Sequence, residues 1–296
     1  MRRAVLADCD TVTSEVHMKW DALQPAPDHW TTGSADALAR HAREHGLSVR
    51  GHALLWEQST PGWARRAVLD GDWSAVETHF SRVLGRYGTE VAEWDVVNEP
   101  VDEHGLKDNL FRRGLGSDYV ARALELAHAI APTARLFIND YSLEYDNAVE
   151  DGRRAALLKL VEDLKRQGVP LHGVGLQGHL DLGKGPLKPG VLDPFLRDLA
   201  GMGVEIAVTE LDVNEQDRRL PLEVRDRRVA DETRRYLEIV LAHEAVRSVT
   251  TWGLSDRHSW LQDQLPPGEP TNRGLPLDDR FRPKPMRQAI IESLQA

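Results

Sequence analysis

The sequence predicts an α/β fold of the (β/α)8 TIM-barrel type. Short apolar runs alternate with amphipathic helical patterns from end to end, the signature of repeated βα units around a parallel sheet. Polar residues gather at the C-terminal ends of almost all the strand-like runs, where barrel enzymes place their active sites. The length of 296 residues suits one large α/β domain. No repeat, low-complexity tract or linker divides it, so residues 1–296 are expected to form a single catalytic barrel domain.

The elements follow in chain order. Strands are expected at Thr11–Thr13, Ser48–Leu55 and Glu93–Asn98, then at Arg135–Asn139, Gly173–Gln177, Glu205–Glu210 and Val249–Trp252. Between the second and third, Trp73, Val76, Phe80, Val83, Leu84 and Tyr87 recur at helical spacing, with Gly88 as a stop and Trp73 as a core filler. Val120, Leu124, Ala127 and Ile130 form another helix face, opened by Ser117 and closed before Pro132. The Leu157, Leu160, Val161, Leu164 stripe ends at Gly168, with Pro170 beyond. Asp193-Pro194 is suited to open the next helix, Asp as cap and Pro at the first position, and the Leu192, Phe195, Leu196, Leu199 stripe ends near Gly201. Glu223–Arg235 mixes both signs of charge and reads as a solvated helix face.

Composition narrows the function. A net charge of -10 and a pI near 5.7 argue against nucleic acid, which is held by neutralising phosphates. They are compatible with a neutral ligand such as a glycan. Cys9 stands alone, so no disulfide scaffold exists, and no apolar run approaches a membrane span. The basic start is followed by too short an apolar run for a signal peptide, so the chain as written reads as cytoplasmic. No cofactor is expected, since Gly183-Lys184-Gly185 lacks the flanks of a phosphate loop. No metal is expected either: His41 and His45 share a helix face but lack a third ligand, and His104 stands alone. Tryptophan supplies 8 aromatics against 5 Tyr and 5 Phe, and indole faces stack on sugar rings.

Two strand ends carry the chemistry. Trp94-Asp95-Val96-Val97-Asn98-Glu99-Pro100 runs from strand into loop, as does Val208-Thr209-Glu210-Leu211-Asp212. The last inward residue of a barrel strand opens onto the mouth, so two such glutamates can face each other across one cleft. Glycoside hydrolysis needs that pair, one carboxyl to protonate the leaving oxygen and one to attack or activate water. Asn98 offers an amide to a sugar 2-hydroxyl, and Gly175-Leu176-Gln177-Gly178-His179-Leu180 ends a further strand with an amide and an imidazole. A non-catalytic carbohydrate-binding protein remains the alternative from another class. It could keep the tryptophans and amides, but it has no need of both glutamates and His179.

The chain resembles family 10 glycoside hydrolases, whose best-known members are endo-β-1,4-xylanases. The matching segments are Glu15-Val16-His17-Met18-Lys19-Trp20, Gly51-His52…Trp56, Trp94–Pro100, Leu136–Tyr141, Gly175–His179, Thr209–Asp212, Thr251–Trp260 and Asp279–Pro285. They span nearly the whole chain in the family's order. The resemblance implies a retaining enzyme acting on xylan or xylo-oligosaccharides, with Glu99 as acid/base, Glu210 as nucleophile and carboxyls about 5–5.5 Å apart. It implies that His179 bonds Glu210 with Asp212 behind it. Lys19, His52, Trp56, Asn98, Gln177, Trp252 and Trp260 would line the subsite of the sugar whose bond breaks. Glu15 would serve the next subsite, with Lys19, and Tyr141 would lie toward the leaving group.

Three positions depart from the family pattern: Val16 replaces an Asn, Glu57 a His and Ser59 a Gln. Val16 cannot hydrogen-bond through its side chain, and Ser59 is shorter than Gln. The second glycone subsite is therefore expected to be altered, with a different or substituted glycan as the alternative substrate and Glu57 adding charge near the cleft. The family also carries a strand and helix before the Glu15 segment. Arg3–Asp8 reads as the tail of that helix, so the first barrel strand is expected to be absent and the true start to lie upstream, in which case the protein would be secreted.

Overall fold

The structure is a computed structural model describing residues 2–296. Parallel strands alternate with helices along the chain, the element order of a (β/α)8 barrel. Strands at Thr11–Thr13, Ser48–Leu55 and Glu93–Asn98 lie where the periodicity put them, and Arg135–Asp140 and Gly173–Leu176 differ by one residue at the end. Glu205–Asn214 runs four residues past Glu210, because its last turn of pleat pairs in parallel with a short strand, His179–Asp181. That strand is too brief to show a period. Val246–Thr251 starts three residues earlier than expected and ends before Trp252. Among the described residues no strand precedes Thr11, and Arg2–Asp8 is helical as expected.

The residues form two units. One comprises Cys9–Asp140 and Ala155–Gly175. In it Thr11–Thr13 pairs with Ser48–Leu55, that strand with Glu93–Asn98, and that with Arg135–Asp140, all parallel. Two missing Cβ atoms set how closely these strands pack. Gly51 is in register with Trp94, and a Cβ there would lie 2.3 Å from the indole. A Cβ on Gly173 would lie 2.1 Å from the Phe137 ring. Trp20 and Trp94 are fully buried, so they fill the core and are withdrawn from sugar stacking. Trp73 is also in the core, beneath the Arg122 guanidinium at 4.1 Å. The helix Ser74–Tyr87 ends at Gly88, and Tyr119–Ile130 opens beside Asp118 rather than Ser117.

The other unit comprises residues 2–8, Tyr141–Arg154 and Leu176–Ala296. Glu205–Asn214 pairs in parallel with Val246–Thr251 on one side and, near its end, with His179–Asp181. Two expectations are corrected here. The helix carrying Phe195 and Leu199 runs Pro189–Gly201, with Pro189 in the first turn and Pro194 inside it. Asp193 caps nothing and instead meets Arg197 and His243. Lys188-Pro189 and Asp193-Pro194 offer the same local start signal, and the earlier one wins.

The helix Leu222–Val240 is not simply a solvated charged face. Arg225 and Glu232 are buried on it. The Arg225 guanidinium grips Glu215 and the Thr271 carbonyl, while Glu232 accepts the Leu187 N–H at 3.1 Å and pairs with Arg235. Buried charges persist only with such partners.

Candidate active site

Glu99 follows directly on the strand Glu93–Asn98 and is 8% exposed. Its φ is +57°, a left-handed value rare outside glycine and further disfavoured before Pro100. Strain of this kind costs about 1–3 kcal/mol and persists only where neighbours enforce it. Here the Glu99 N–H donates to the Asn139 carbonyl at 2.7 Å, and the Val101 N–H to Asp140 Oδ2 at 3.1 Å. A hairpin of Val101–Asp102 with Gly105–Leu106 then folds back, so the Lys107 N–H reaches the Pro100 carbonyl at 2.8 Å. That return places Lys107 Nζ 3.8 Å from Glu99 Oε2.

The same unit holds the rest of the first group. Asn139 Nδ2 donates to Asn98 Oδ1 at 2.8 Å, which ties the two amides together. His52 Nδ1 lies 3.0 Å from Asp95 Oδ2, and Asp95 is gripped from the other side by Arg50. Burial opposes the charge on Asp95, yet the Arg50 charge and the His52 bond hold its carboxyl below the ordinary range. Lys19 Nζ sits 4.4 Å from the centre of the Trp56 ring, with half-buried Glu15 four residues upstream. The buried indole N–H of Trp56 has no hydrogen-bond partner among the described residues. A donor left so costs about 1–3 kcal/mol.

In the other unit Glu210 is 4% exposed, and its N–H donates to the Gln177 carbonyl at 2.8 Å. Its Oε2 lies 3.3 Å from His179 Nε2. The opposite ring nitrogen of His179 is 2.8 Å from Asp212 Oδ1, and Asp212 Oδ2 accepts the Trp260 indole N–H at 2.6 Å. Burial works against protonating His179, but Asp212 first and Glu210 after it hold the imidazole well above its ordinary pKa. Each of its ring nitrogens thus faces a carboxylate. Trp252 is buried and donates its backbone N–H to the Leu211 carbonyl at 3.0 Å. Half-buried Tyr141 carries the Arg153 guanidinium over its ring at 4.0 Å.

The three departures fare differently. Val16 is 54% exposed, and Ser59 is buried near the Trp56 carbonyl. Glu57 has partners within the protein. Its Oε1 accepts the Leu110 N–H at 3.0 Å, at the first turn of the helix Leu110–Leu115, and faces Arg113 and Arg65. The His pair is also local: His45 Nδ1 meets the His41 carbonyl at 2.8 Å.

The residue reading passed over Asp95, Asn139, Asp140 and Lys107. The first three stand on the strands Glu93–Asn98 and Arg135–Asp140 and were within reach. Lys107 carried no signal, because only the hairpin returns it to Glu99.

The model for Glycosyl hydrolase family 10 matches residues 1–293. The chain is 33% identical over 294 residues to an endo-1,4-beta-xylanase of Agaricus bisporus, covering 97% of this chain and 83% of that protein. It is 35% identical to a beta-1,4-xylanase of Dictyoglomus thermophilum, over 85% of this chain and 73% of that one. Among solved structures, xylanase 10B of Thermotoga petrophila in complex with xylobiose matches with a TM-score of 0.88 at 28% identity, covering 99% of this chain and 88% of that one. An endo-beta-1,4-xylanase of Gloeophyllum trabeum matches with a TM-score of 0.88 at 30% identity, covering 99% and 90%.

Proposed function

The chain belongs to glycosyl hydrolase family 10 and is a glycoside hydrolase, and on that premise we propose that it cleaves β-1,4-linked xylan by retaining double displacement. The similarity to xylanases, one of them solved with xylobiose, supports the substrate. The observation that carries the mechanism is the His179 ring placed between Glu210, at 3.3 Å, and Asp212, at 2.8 Å.

A nucleophile must be ionised while its partner carries a proton, and His179 stands nearer Glu210, at 3.3 Å, than Lys107 does Glu99, at 3.8 Å, which favours the charge on Glu210. Glu210 attacks the anomeric carbon as Glu99 gives its proton to the leaving oxygen; the glycosidic bond breaks and a glycosyl ester of Glu210 forms. Glu99, now a carboxylate facing Lys107, takes a proton from water. The oxygen of that water attacks the anomeric carbon, the ester bond breaks, and Glu210 is released as carboxylate. Asp212 keeps His179 in place while the charge on Glu210 is lost to the ester. Asn98 serves the 2-hydroxyl, and Lys19, His52, Trp56, Gln177, Trp252 and Trp260 line the sugar. Glu15 serves the next glycone sugar, and Tyr141 the leaving-group side.

Reducing-sugar release from xylan tests the substrate. Azide tests the roles with an activated aryl xylobioside. Glu99→Ala is expected to lose about 10²–10⁴-fold on xylan and to yield a β-glycosyl azide. Glu210→Ala is expected to yield the α-azide. The reverse pattern would exchange the two assignments, and release from xylan by Glu210→Ala at the unmodified rate would refute the mechanism.

A further inference from the structure

We propose that Glu144 is a positioning residue for His179 and Glu210, acting through the Gly178 peptide N–H that its carboxylate accepts. The proposal rests on the reading of Glu210 as nucleophile. Glu144 lies three residues beyond Tyr141, in the same unit as Glu210, and is 2% exposed, so it acts on the site from behind. Its Oε1 accepts the Gly178 N–H at 3.2 Å, and its Oε2 the Leu143 N–H at 2.8 Å.

Gly178 is the middle of a three-residue clamp. The Gln177 carbonyl accepts the Glu210 N–H at 2.8 Å, and the Gly178 carbonyl accepts the Asp212 N–H at 3.4 Å. His179 then reaches Glu210 with one ring nitrogen and Asp212 with the other. Gly178 has φ +73°, and a Cβ there would stand 3.2 Å from Val208 and 3.4 Å from Tyr236. The peptide is thus backed by Val208 and Tyr236, its two neighbouring carbonyls are bound to the nucleophile strand, and Glu144 holds its N–H. A shift of Glu144 would turn that peptide and re-aim the imidazole.

Charge adds to geometry. Burial first, and the nearby Glu150 second, push the Glu144 carboxyl above the ordinary range, while His179 and Lys184 draw it back. Lys184, in turn, is bound to Glu150 at 2.7 Å. Tyr145 and Tyr236 complete the surroundings, and both phenols are held neutral, chiefly by burial. Glu144 and His179 thus act on each other electrostatically, beyond the two carboxyls that His179 touches.

The test compares Glu144→Gln with the unmodified enzyme. The expected result is a kcat lower by about tenfold to a hundredfold with KM within about twofold, and a His179 ring that titrates at a lower pH in NMR. Labelling with an activated 2-deoxy-2-fluoro xylobioside runs alongside. A label on any residue but Glu210 would overturn the nucleophile reading and this inference with it. A label on Glu210 that forms in Glu144→Gln at the unmodified rate, with an unchanged His179 titration, would overturn the inference alone. If Glu144→Gln does not fold, hydrogen exchange in the unmodified enzyme decides. A Gly178 amide protected well beyond exposed loops is expected, and free exchange refutes the bond.

Discussion

At the scale of single residues, the site depends on groups that are held rather than merely present. Glu99 keeps a left-handed backbone because Asn139, Asp140 and the Lys107 return enclose it. Glu57 shows the same rule in reverse, since a charge read as available to substrate is bound to Leu110 and faces two arginines. Glu57→Gln is expected to lower stability by about 1 kcal/mol and to leave the preference for xylan unchanged, checked by urea denaturation and a glycan panel. A changed preference would restore Glu57 to the subsite. Val16→Asn is expected to lower KM for xylo-oligosaccharides by about tenfold or less, the worth of one added hydrogen bond. A KM that does not move would mean that Val16 faces no sugar.

At the scale of elements, buried ion pairs set where loops and helices sit. Arg225 on the helix Leu222–Val240 pairs with Glu215, which also accepts the Arg273 N–H at 2.8 Å. Arg225→Ala leaves Glu215 buried and uncompensated, and a loss of about 3–5 kcal/mol is expected. Arg225→Ala together with Glu215→Ala is expected to cost less than Arg225→Ala alone, and a strictly additive double-mutant cycle would show that the pair is not coupled. The mixed charges of Glu223–Arg235 hid this, because alternating sign looks the same on a wet face and on one that docks.

At the scale of the whole molecule, stability should fall steeply in acid. His79 is fully buried, stacked on Trp20 at 4.5 Å, with Nε2–H donating to the Leu54 carbonyl at 3.1 Å, and burial pushes its pKa down to about 3 from 6.5. The unfolded chain therefore binds a proton there that the folded chain refuses. The contribution is complete above pH 6.5 and is lost as pH falls through that value toward 3, by up to about 5 kcal/mol. Asp36 acts in the same direction lower down. Its bond to Arg86 outweighs burial and holds the carboxyl at about 2, so its contribution is present above 3.8 and lost as pH falls toward 2. His79→Gln is expected to be less stable at neutral pH but to show a flatter dependence between pH 6.5 and 4. An equally steep curve would place the acid sensitivity elsewhere.

The sequence by itself determined the βα element order, the strand ends bearing Glu99 and Glu210, and the kinship to family 10. Each is a local property: strand alternation and helical period show which face is buried, and Trp94–Pro100 or Thr209–Asp212 can be read in place. The tertiary structure alone decided who pairs with whom. Only the folded chain binds Glu57 to Leu110, Glu144 to Gly178 and Arg225 to Glu215, and only pairing with His179–Asp181 extends Glu205–Glu210 to Asn214. A hydrogen-bond partner many residues distant leaves no trace in periodicity. Burying a polar group demands that some partner exist, and only the packing of the chain selects which one.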